Sequence, residues 1–150
     1  MKKGGKLLSK NLEETAKIAR DFLSSLSPRN TATLVCLSGD LGSGKTAFVK
    51  KVGEYFGIKE NITSPTFVIE KIYKLKNQRF THLIHVDAYR LESGEELGHL
   101  GFEEILKDPG NIVFLEWPER AGSVLPEERH EIKFKFVNES EREIMLGARL

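Results

Sequence analysis

The chain has 150 residues, of which 39% are hydrophobic and 30% charged, a balance that is typical of a folded globular domain and excludes an intrinsically disordered chain. The 23 Lys and Arg residues nearly balance the 22 Asp and Glu residues, and the net charge of +1 excludes the strongly basic character of an independent nucleic-acid-binding domain. The single cysteine, Cys36, excludes an intramolecular disulfide, and no apolar run reaches the roughly 20 residues of a membrane span. We therefore expect one cytoplasmic domain over residues 1–150, with no signal peptide and no membrane contact.

The first part of the chain reads as a helix, a buried strand and a second helix. Asn11 followed by Glu14 resembles a capping box, and apolar residues then recur at helical spacing, which predicts a helix over 11–26. The compact apolar run at 33–38 is typical of a strand that is buried on both faces. Residues 45–56 return to helical spacing and predict the second helix.

The middle of the chain favours a hairpin followed by short helices. Residues 66–73 are dense in β-branched and aromatic side chains, and residues 78–87 contain a second apolar run, so the two segments predict a β-hairpin. Residues 95–106 have the pattern of one or two short helices, with a break at Gly101.

The last third of the chain reads as strands. Residues 111–116 form a third apolar run, and residues 131–137 alternate between apolar and lysine side chains, with 141–147 as a hairpin partner. Because helices alternate with apolar strands, we expect a three-layer α/β domain. The two hairpins indicate a mixed, mostly parallel central sheet.

A glycine-rich segment lies between the first apolar strand and the second helix. Two glycines separated by four residues and followed by Lys and Thr match the P-loop pattern, formed here by Gly39, Asp40, Leu41, Gly42, Ser43, Gly44, Lys45 and Thr46. Such a loop turns its backbone N–H groups toward phosphates, and the helix that follows adds its positive end. In this pattern the lysine contacts the β- and γ-phosphates, and the Thr hydroxyl ligates Mg²⁺. The segment therefore predicts a P-loop NTPase-like fold that binds a nucleotide.

Two apolar strands end in carboxylates that are candidates for this Mg²⁺–nucleotide site. Asp87 follows residues 83–86, and Glu116 follows residues 112–115. A carboxylate beside the P-loop strand is needed for the metal, whereas a single carboxylate at a strand end often marks only the point where the strand meets solvent. From these residues alone, either Asp87 or Glu116 is the direct metal ligand.

Three further features have weaker patterns. Ser64-Pro65-Thr66 precedes a predicted strand, where a hydroxyl that senses the γ-phosphate and a simple Ser-Pro turn are both consistent with the sequence. His82 and His85 lie three apart on a predicted strand, hence on opposite faces, which argues against a shared metal. Trp117 is placed either near the nucleotide or on the rim of the site.

Several segments together resemble the TsaE (YjeE) family, the small ATPase of bacterial tRNA threonylcarbamoyladenosine biosynthesis. The resemblance lies in the order and spacing of residues 39–46, 64–67, 85–91, 101–104 and 116–119. It covers roughly residues 9–137. The P-loop alone is generic, whereas its combination with the Ser-Pro-Thr, Asp-x-Tyr-Arg and Glu-Trp-Pro segments is specific. Ser43 stands where the family commonly has Ala.

The resemblance implies a role for each candidate residue. Thr46 and Glu116 would bind Mg²⁺, and Asp87 would support the metal or position water. Thr66 would act as the switch residue, and Trp117 would lie close to ATP. The implied partners are the TsaB and TsaD proteins, with tRNA held only indirectly through that complex.

Two other functions remain open at this point. One is a small-molecule kinase, which needs a lid and an acceptor pocket that the sequence does not reveal. The other is a nucleotide-gated binding module whose hydrolysis of ATP is incidental. The resemblance favours a weak ATPase that its partners stimulate.

Overall fold

The computed structural model describes residues 5–60, 62 and 70–149. Its strands are β1 (Lys6–Ser9), β2 (Thr33–Ser38), β3 (Glu70–Lys74), β4 (His82–Asp87), β5 (Asn111–Glu116), β6 (Arg129–Phe136) and β7 (Arg142–Arg149). Its helices are α1 (Leu12–Ser24), α2 (Lys45–Tyr55), α3 (Glu95–His99) and α4 (Phe102–Lys107), and two 3₁₀ turns cover Pro118–Arg120 and Gly122–Val124. Within the described residues no helix is both long and apolar enough to cross a membrane.

One sheet in the order β1-β7-β6-β2-β5-β4-β3 forms the centre of the fold. The strands β6, β2, β5 and β4 pair in parallel, while β7 and β3 run antiparallel to their neighbours and β1 is antiparallel to β7. Five strands therefore point in one direction and two in the other, which confirms the predicted mixed, mostly parallel sheet. Parallel pairing brings the carboxyl ends of β2, β5 and β4 to the same edge.

Helices cover both faces of the sheet. On one face α1 and α2 pack over a core that includes Phe22, Phe48 and Phe114. On the other face Leu97 of α3 and Phe102 of α4 pack with the side chains of β2, β4 and β5 that point that way. This arrangement confirms the three-layer α/β architecture. A single domain over residues 1–150 stays a prediction.

The predicted elements agree with the structure except at their ends. The Asn11 side chain accepts the backbone N–H of Glu14 at 2.9 Å, so α1 begins at the predicted cap. The break at Gly101 is real, because this residue has a φ of +76° between α3 and α4. Of the predicted strand 66–73, residues 66–69 lie outside the described residues, and β3 covers Glu70–Lys74. The sequence did not predict β1, a short edge strand that pairs with β7.

Candidate functional site

The glycine-rich segment forms a loop between the carboxyl end of β2 and the first residue of α2. Gly39, Gly42 and Gly44 have φ values of +143°, +78° and +107°, which other residues rarely adopt. Gly44 caps α2 in a left-handed conformation, and Lys45 is the first residue of the helix. The loop therefore presents the amino end of α2, whose free N–H groups and positive dipole end favour an anion.

The Lys45 side chain is held across this loop. Only 4% of the residue is exposed, and its ammonium donates a hydrogen bond to the Gly39 carbonyl. The same nitrogen lies 3.8 Å from the centre of the Trp117 ring, which is a cation–π contact. Burial lowers the pKa of Lys45, while the nearby carboxylates oppose that shift and favour the charged form.

Four carboxylates contribute to the field at the Lys45 ammonium. In order of strength they belong to Glu116, Glu119, Asp87 and Asp40. Four carboxylates thus act on this one ammonium. Negative charge at an anion-binding loop is the arrangement that a bound cation would balance.

Glu116 is the central carboxylate of the site. It ends β5, is 3% exposed, and its Oε2 lies 3.2 Å from the Thr46 hydroxyl and 2.6 Å from His85 Nε2. The second oxygen, Oε1, lies 3.4 Å from the same hydroxyl. Because β5 is the direct parallel neighbour of β2, the end of β5 lies beside the loop that follows β2. The fold thus joins Thr46 and Glu116, which are far apart in sequence.

Asp87 lies one strand further along the same edge. It ends β4 and is the register partner of Glu116, so the two carboxylates leave neighbouring strands side by side. Its Oδ1 accepts the backbone N–H of Tyr89 at 2.9 Å.

Trp117 follows Glu116, and an unusual backbone conformation turns its ring toward the loop. Its φ is +59°, and its N–H donates to the Leu37 carbonyl at 3.2 Å. The ring lies 5.0 Å from the Tyr89 ring, and the Arg120 guanidinium lies 5.6 Å from the Tyr89 ring centre. An aromatic wall, Trp117 and Tyr89, therefore borders the loop on this side.

The structure brings most of the predicted site residues together. Lys45, Thr46, Glu116 and Trp117 lie in direct contact as pairs, and Asp87 stands next to Glu116. Asp40 and Leu41 lie on the exposed part of the loop, whereas Ser43 is buried. Thr66, with the rest of Ser64-Pro65-Thr66, lies outside the described residues.

Two other residues at the site have no assigned role in the sequence prediction. The sequence pattern places His85 only in a histidine pair on opposite faces of a strand, whereas in the structure it contacts Glu116. Arg142 begins β7, and its guanidinium lies against Gly44, where an added Cβ would come within 2.4 Å of Nη1. The period-2 alternation from Leu83 through His85 to Asp87 would have indicated that His85 and Asp87 share a face.

A cleft of about 590 Å³ lies beside the start of β7. The residues that line it are Asn11, Leu12, Glu13, Glu139, Ser140 and Arg142. Arg142 links this cleft to the loop, because its guanidinium also lies against Gly44. It has charged, polar and apolar groups within one space.

The oxygen atoms at the loop suit a hard divalent cation. The Thr46 hydroxyl and the Glu116 carboxylate are oxygen donors of the kind that Mg²⁺ prefers. Within the described residues no group of three or more His, Cys, Asp or Glu side chains is arranged to hold a metal. The donor set therefore fits a cation that protein and phosphate oxygens hold jointly, as Mg²⁺ is held in nucleotide sites, rather than an all-protein cage.

Comparisons with known proteins identify the family of this chain. A sequence model described as threonylcarbamoyl adenosine biosynthesis protein TsaE matches residues 9–144. The chain belongs to the TsaE family. A TsaE protein of Rickettsia felis is 41% identical over 137 residues, which are 91% of this chain and 75% of that protein. A TsaE protein of Bacillus subtilis is 38% identical over 138 residues, 92% of this chain and 82% of that protein.

A solved TsaE-type structure has the same fold. The crystal structure of YdiB from Bacillus subtilis superposes with a TM-score of 0.75 and 33% sequence identity, over 97% of this chain and 85% of that one. This confirms the predicted P-loop NTPase-like fold. The family name places the chain in tRNA threonylcarbamoyladenosine biosynthesis, and the fold is one that suits nucleotide binding.

Proposed function

We propose that this TsaE chain binds ATP together with Mg²⁺ and hydrolyses it to support threonylcarbamoyladenosine modification of tRNA. One observation carries the proposal: Thr46, directly after the loop lysine, lies 3.2 Å from the buried carboxylate of Glu116. A hydroxyl and a carboxylate on adjacent elements at a helix amino end are the protein's share of a Mg²⁺–nucleotide site.

Phosphate recognition is assigned to the loop and Lys45. The loop N–H groups and the amino end of α2 would face the phosphates, and Lys45 would exchange its Gly39 carbonyl for a phosphate oxygen. A charged partner gives an ammonium a stronger hydrogen bond than a carbonyl does, so this exchange is favourable. Trp117 would flank the lysine throughout, and the cleft at Arg142 offers room for the base and ribose.

Metal binding is assigned to Thr46 and Glu116, with Asp87 in a supporting role. Glu116 is preferred as the direct ligand because it touches Thr46 and ends the strand next to β2. Asp87, one strand away, would position the attacking water or a water on the metal. A bound Mg²⁺ would neutralise phosphate charge and polarise the phosphoryl group.

Hydrolysis by the chain alone is expected to be slow, and partner proteins are expected to raise it. A nucleotide on an open loop is poorly shielded from bulk water, and closure of the site usually requires an additional segment. By the family resemblance, TsaB and TsaD are the partners, tRNA is held through them, and Thr66 is the switch residue. The chain would act in the cytoplasm, where tRNA is modified.

Removal of the loop charge tests nucleotide binding. Lys45→Ala deletes a charge-assisted contact worth about 1.5–3 kcal/mol, so ATP affinity should fall roughly ten- to a hundredfold in isothermal titration. Lys51→Ala is the matched control, because Lys51 lies on the same helix but pairs with the exposed Glu54 at 3.2 Å. The control should bind ATP like the wild type. Equal affinity of Lys45→Ala and wild type would refute the nucleotide site.

The partner-dependent step has its own test. ATP hydrolysis is measured for wild type and Thr66→Ala, each with and without the TsaB–TsaD pair. We expect marked stimulation of the wild type, loss of stimulation in Thr66→Ala, and unchanged ATP binding. Thr31→Ala, which alters an exposed threonine before β2, is the control. Equal stimulation of Thr66→Ala would remove this residue from the mechanism, and no stimulation of the wild type would contradict the partner role.

A further inference from the structure

His85 is a fully buried histidine in the middle of β4. It is 0% exposed, and its strand neighbour in the register is Phe114 of β5. Its side chain points to the same face as Leu83, toward the layer of α1 and α2. A polar ring in such a place is unfavourable unless its nitrogens find hydrogen-bond partners.

Among the residues that the structure describes, the hydrogen-bond partner of the histidine is Glu116. His85 Nε2 lies 2.6 Å from Glu116 Oε2, and because a carboxylate only accepts, Nε2 donates. Within the described residues Nδ1 has no hydrogen-bond partner. A structural histidine would be expected to satisfy both nitrogens, whereas in the described part of the chain this ring has its polar contact on the site carboxylate.

The two side-chain donors to Glu116 come from different elements of the fold. Oε2 accepts from His85 on β4 and lies 3.2 Å from the Thr46 hydroxyl on α2. Thr46 is itself assigned to the metal, so its hydroxyl cannot be relied on to hold Glu116 once a cation is bound. His85 is then the contact that keeps the carboxylate in place.

We propose that His85 is a positioning residue, which fixes the Glu116 carboxylate in the orientation that Mg²⁺ requires. The inference rests on the proposed function, in which Glu116 is a metal ligand. Partners that orient ligating side chains usually contribute about ten- to a hundredfold to metal affinity or activity. His85 acts through Glu116 and touches neither nucleotide nor metal itself.

Two substitutions at His85 distinguish a positioning role from a role in packing alone. His85→Leu fills the apolar site but removes the donor. His85→Gln keeps an N–H donor at a reach similar to that of the imidazole Nε2. A packing role predicts that both variants behave alike or that Leu is the better one, whereas a positioning role predicts that only Gln retains function. His82→Gln is the control, because His82 lies on the same strand and its ring contacts the exposed Thr81 hydroxyl.

The experiment measures binding of a fluorescent ADP analogue during a Mg²⁺ titration, and again in EDTA. For His85→Leu we expect the half-saturating Mg²⁺ concentration to rise about ten- to a hundredfold, with affinity in EDTA within about twofold of wild type. His85→Gln and His82→Gln should stay within a few-fold of wild type. A wild-type Mg²⁺ requirement in His85→Leu, or equal impairment of Leu and Gln, would overturn the role. Absence of any nucleotide binding by the wild type would instead refute the proposed function.

If His85→Leu does not fold, a measurement on the wild-type protein still tests the proposal. In ¹⁵N-labelled protein, the His85 ring should carry its proton on Nε2, and that resonance should shift when Mg²⁺ is added to the ADP-bound protein. The His82 ring resonances should stay where they are. A His85 resonance that does not respond to Mg²⁺ would overturn the proposal.

Discussion

Gly39 is the position at which the P-loop is most sensitive to an added methyl group. Its φ is +143°, and a Cβ placed on it would lie 2.5 Å from the Phe134 carbonyl oxygen and 2.7 Å from the Ser43 hydroxyl. The Phe134 oxygen belongs to the backbone of β6, a central strand, and cannot move aside as a flexible side chain would. Gly39→Ala must therefore displace the loop from the end of β2.

Two contributions make up the expected loss of folding free energy in Gly39→Ala. An alanine held in this part of φ space costs about 1–3 kcal/mol. Relief of the contact with β6 costs about another 1–3 kcal/mol, as overpacking generally does. Together they amount to about 2–6 kcal/mol, which is a large part of the 5–15 kcal/mol by which folded proteins are usually stable. For a chain of this length we expect Tm to fall by roughly 5–20 °C.

The assay is thermal unfolding followed by circular dichroism without nucleotide, with Gly42→Ala as the control. Gly42 has a φ of +78°, and a Cβ there would meet no atom within 4 Å. Only the left-handed backbone then opposes the substitution, at about 1–2 kcal/mol. The Tm decrease for Gly42→Ala should be clearly smaller than that for Gly39→Ala. Equal decreases, or a Gly39→Ala variant as stable as wild type, would refute the reasoning.

Two further predictions concern hydrolysis and pH. Glu116→Ala and Asp87→Ala should each lower ATP hydrolysis in the activated complex at least about tenfold while lowering ADP binding less, and wild-type rates in both variants would contradict the assigned metal site. Burial and the Arg29 guanidinium lower the pKa of His130 in the folded protein. The His130 ring therefore binds a proton more readily in the unfolded chain than in the folded one. Stability should therefore fall as pH drops through and below about 6.5, and His130→Phe, which keeps a ring against Phe22, should show a smaller fall in urea unfolding.

Local signals were enough to predict most of the helices and central strands. The Asn11 cap, the glycine at 101 and the apolar runs of β2, β4 and β5 each act within a few residues, so the sequence reveals them directly. The strand β1 could not be predicted because no local sequence pattern marks it. Its two leucines are exposed, and it exists only because β7, from the other end of the chain, offers a free edge.

The part of the candidate site that a sequence motif marks could be predicted. The contacts between residues that only the fold brings together could not. The loop, Lys45 and Thr46 are adjacent in sequence, and the strand ends indicated Asp87 and Glu116 as alternatives. The preference for Glu116 comes from strand order, since β5 and not β4 lies next to β2. The contact of His85 with Glu116 likewise needs the parallel register of β4 and β5.

The contacts of Lys45 explain why, in the proposed mechanism, the nucleotide should bind as its Mg²⁺ complex. Its ammonium already has the Gly39 carbonyl and the Trp117 ring as partners, so it does not attract anions as an exposed charge would. Glu116 and Asp87, with two further carboxylates, add negative charge around it. Bare polyphosphate would meet repulsion there, whereas a cation shared by Glu116 and the phosphates turns the same carboxylates into attraction. In the proposed mechanism, the charge pattern that would weaken binding of free anions would thus also favour the metal complex.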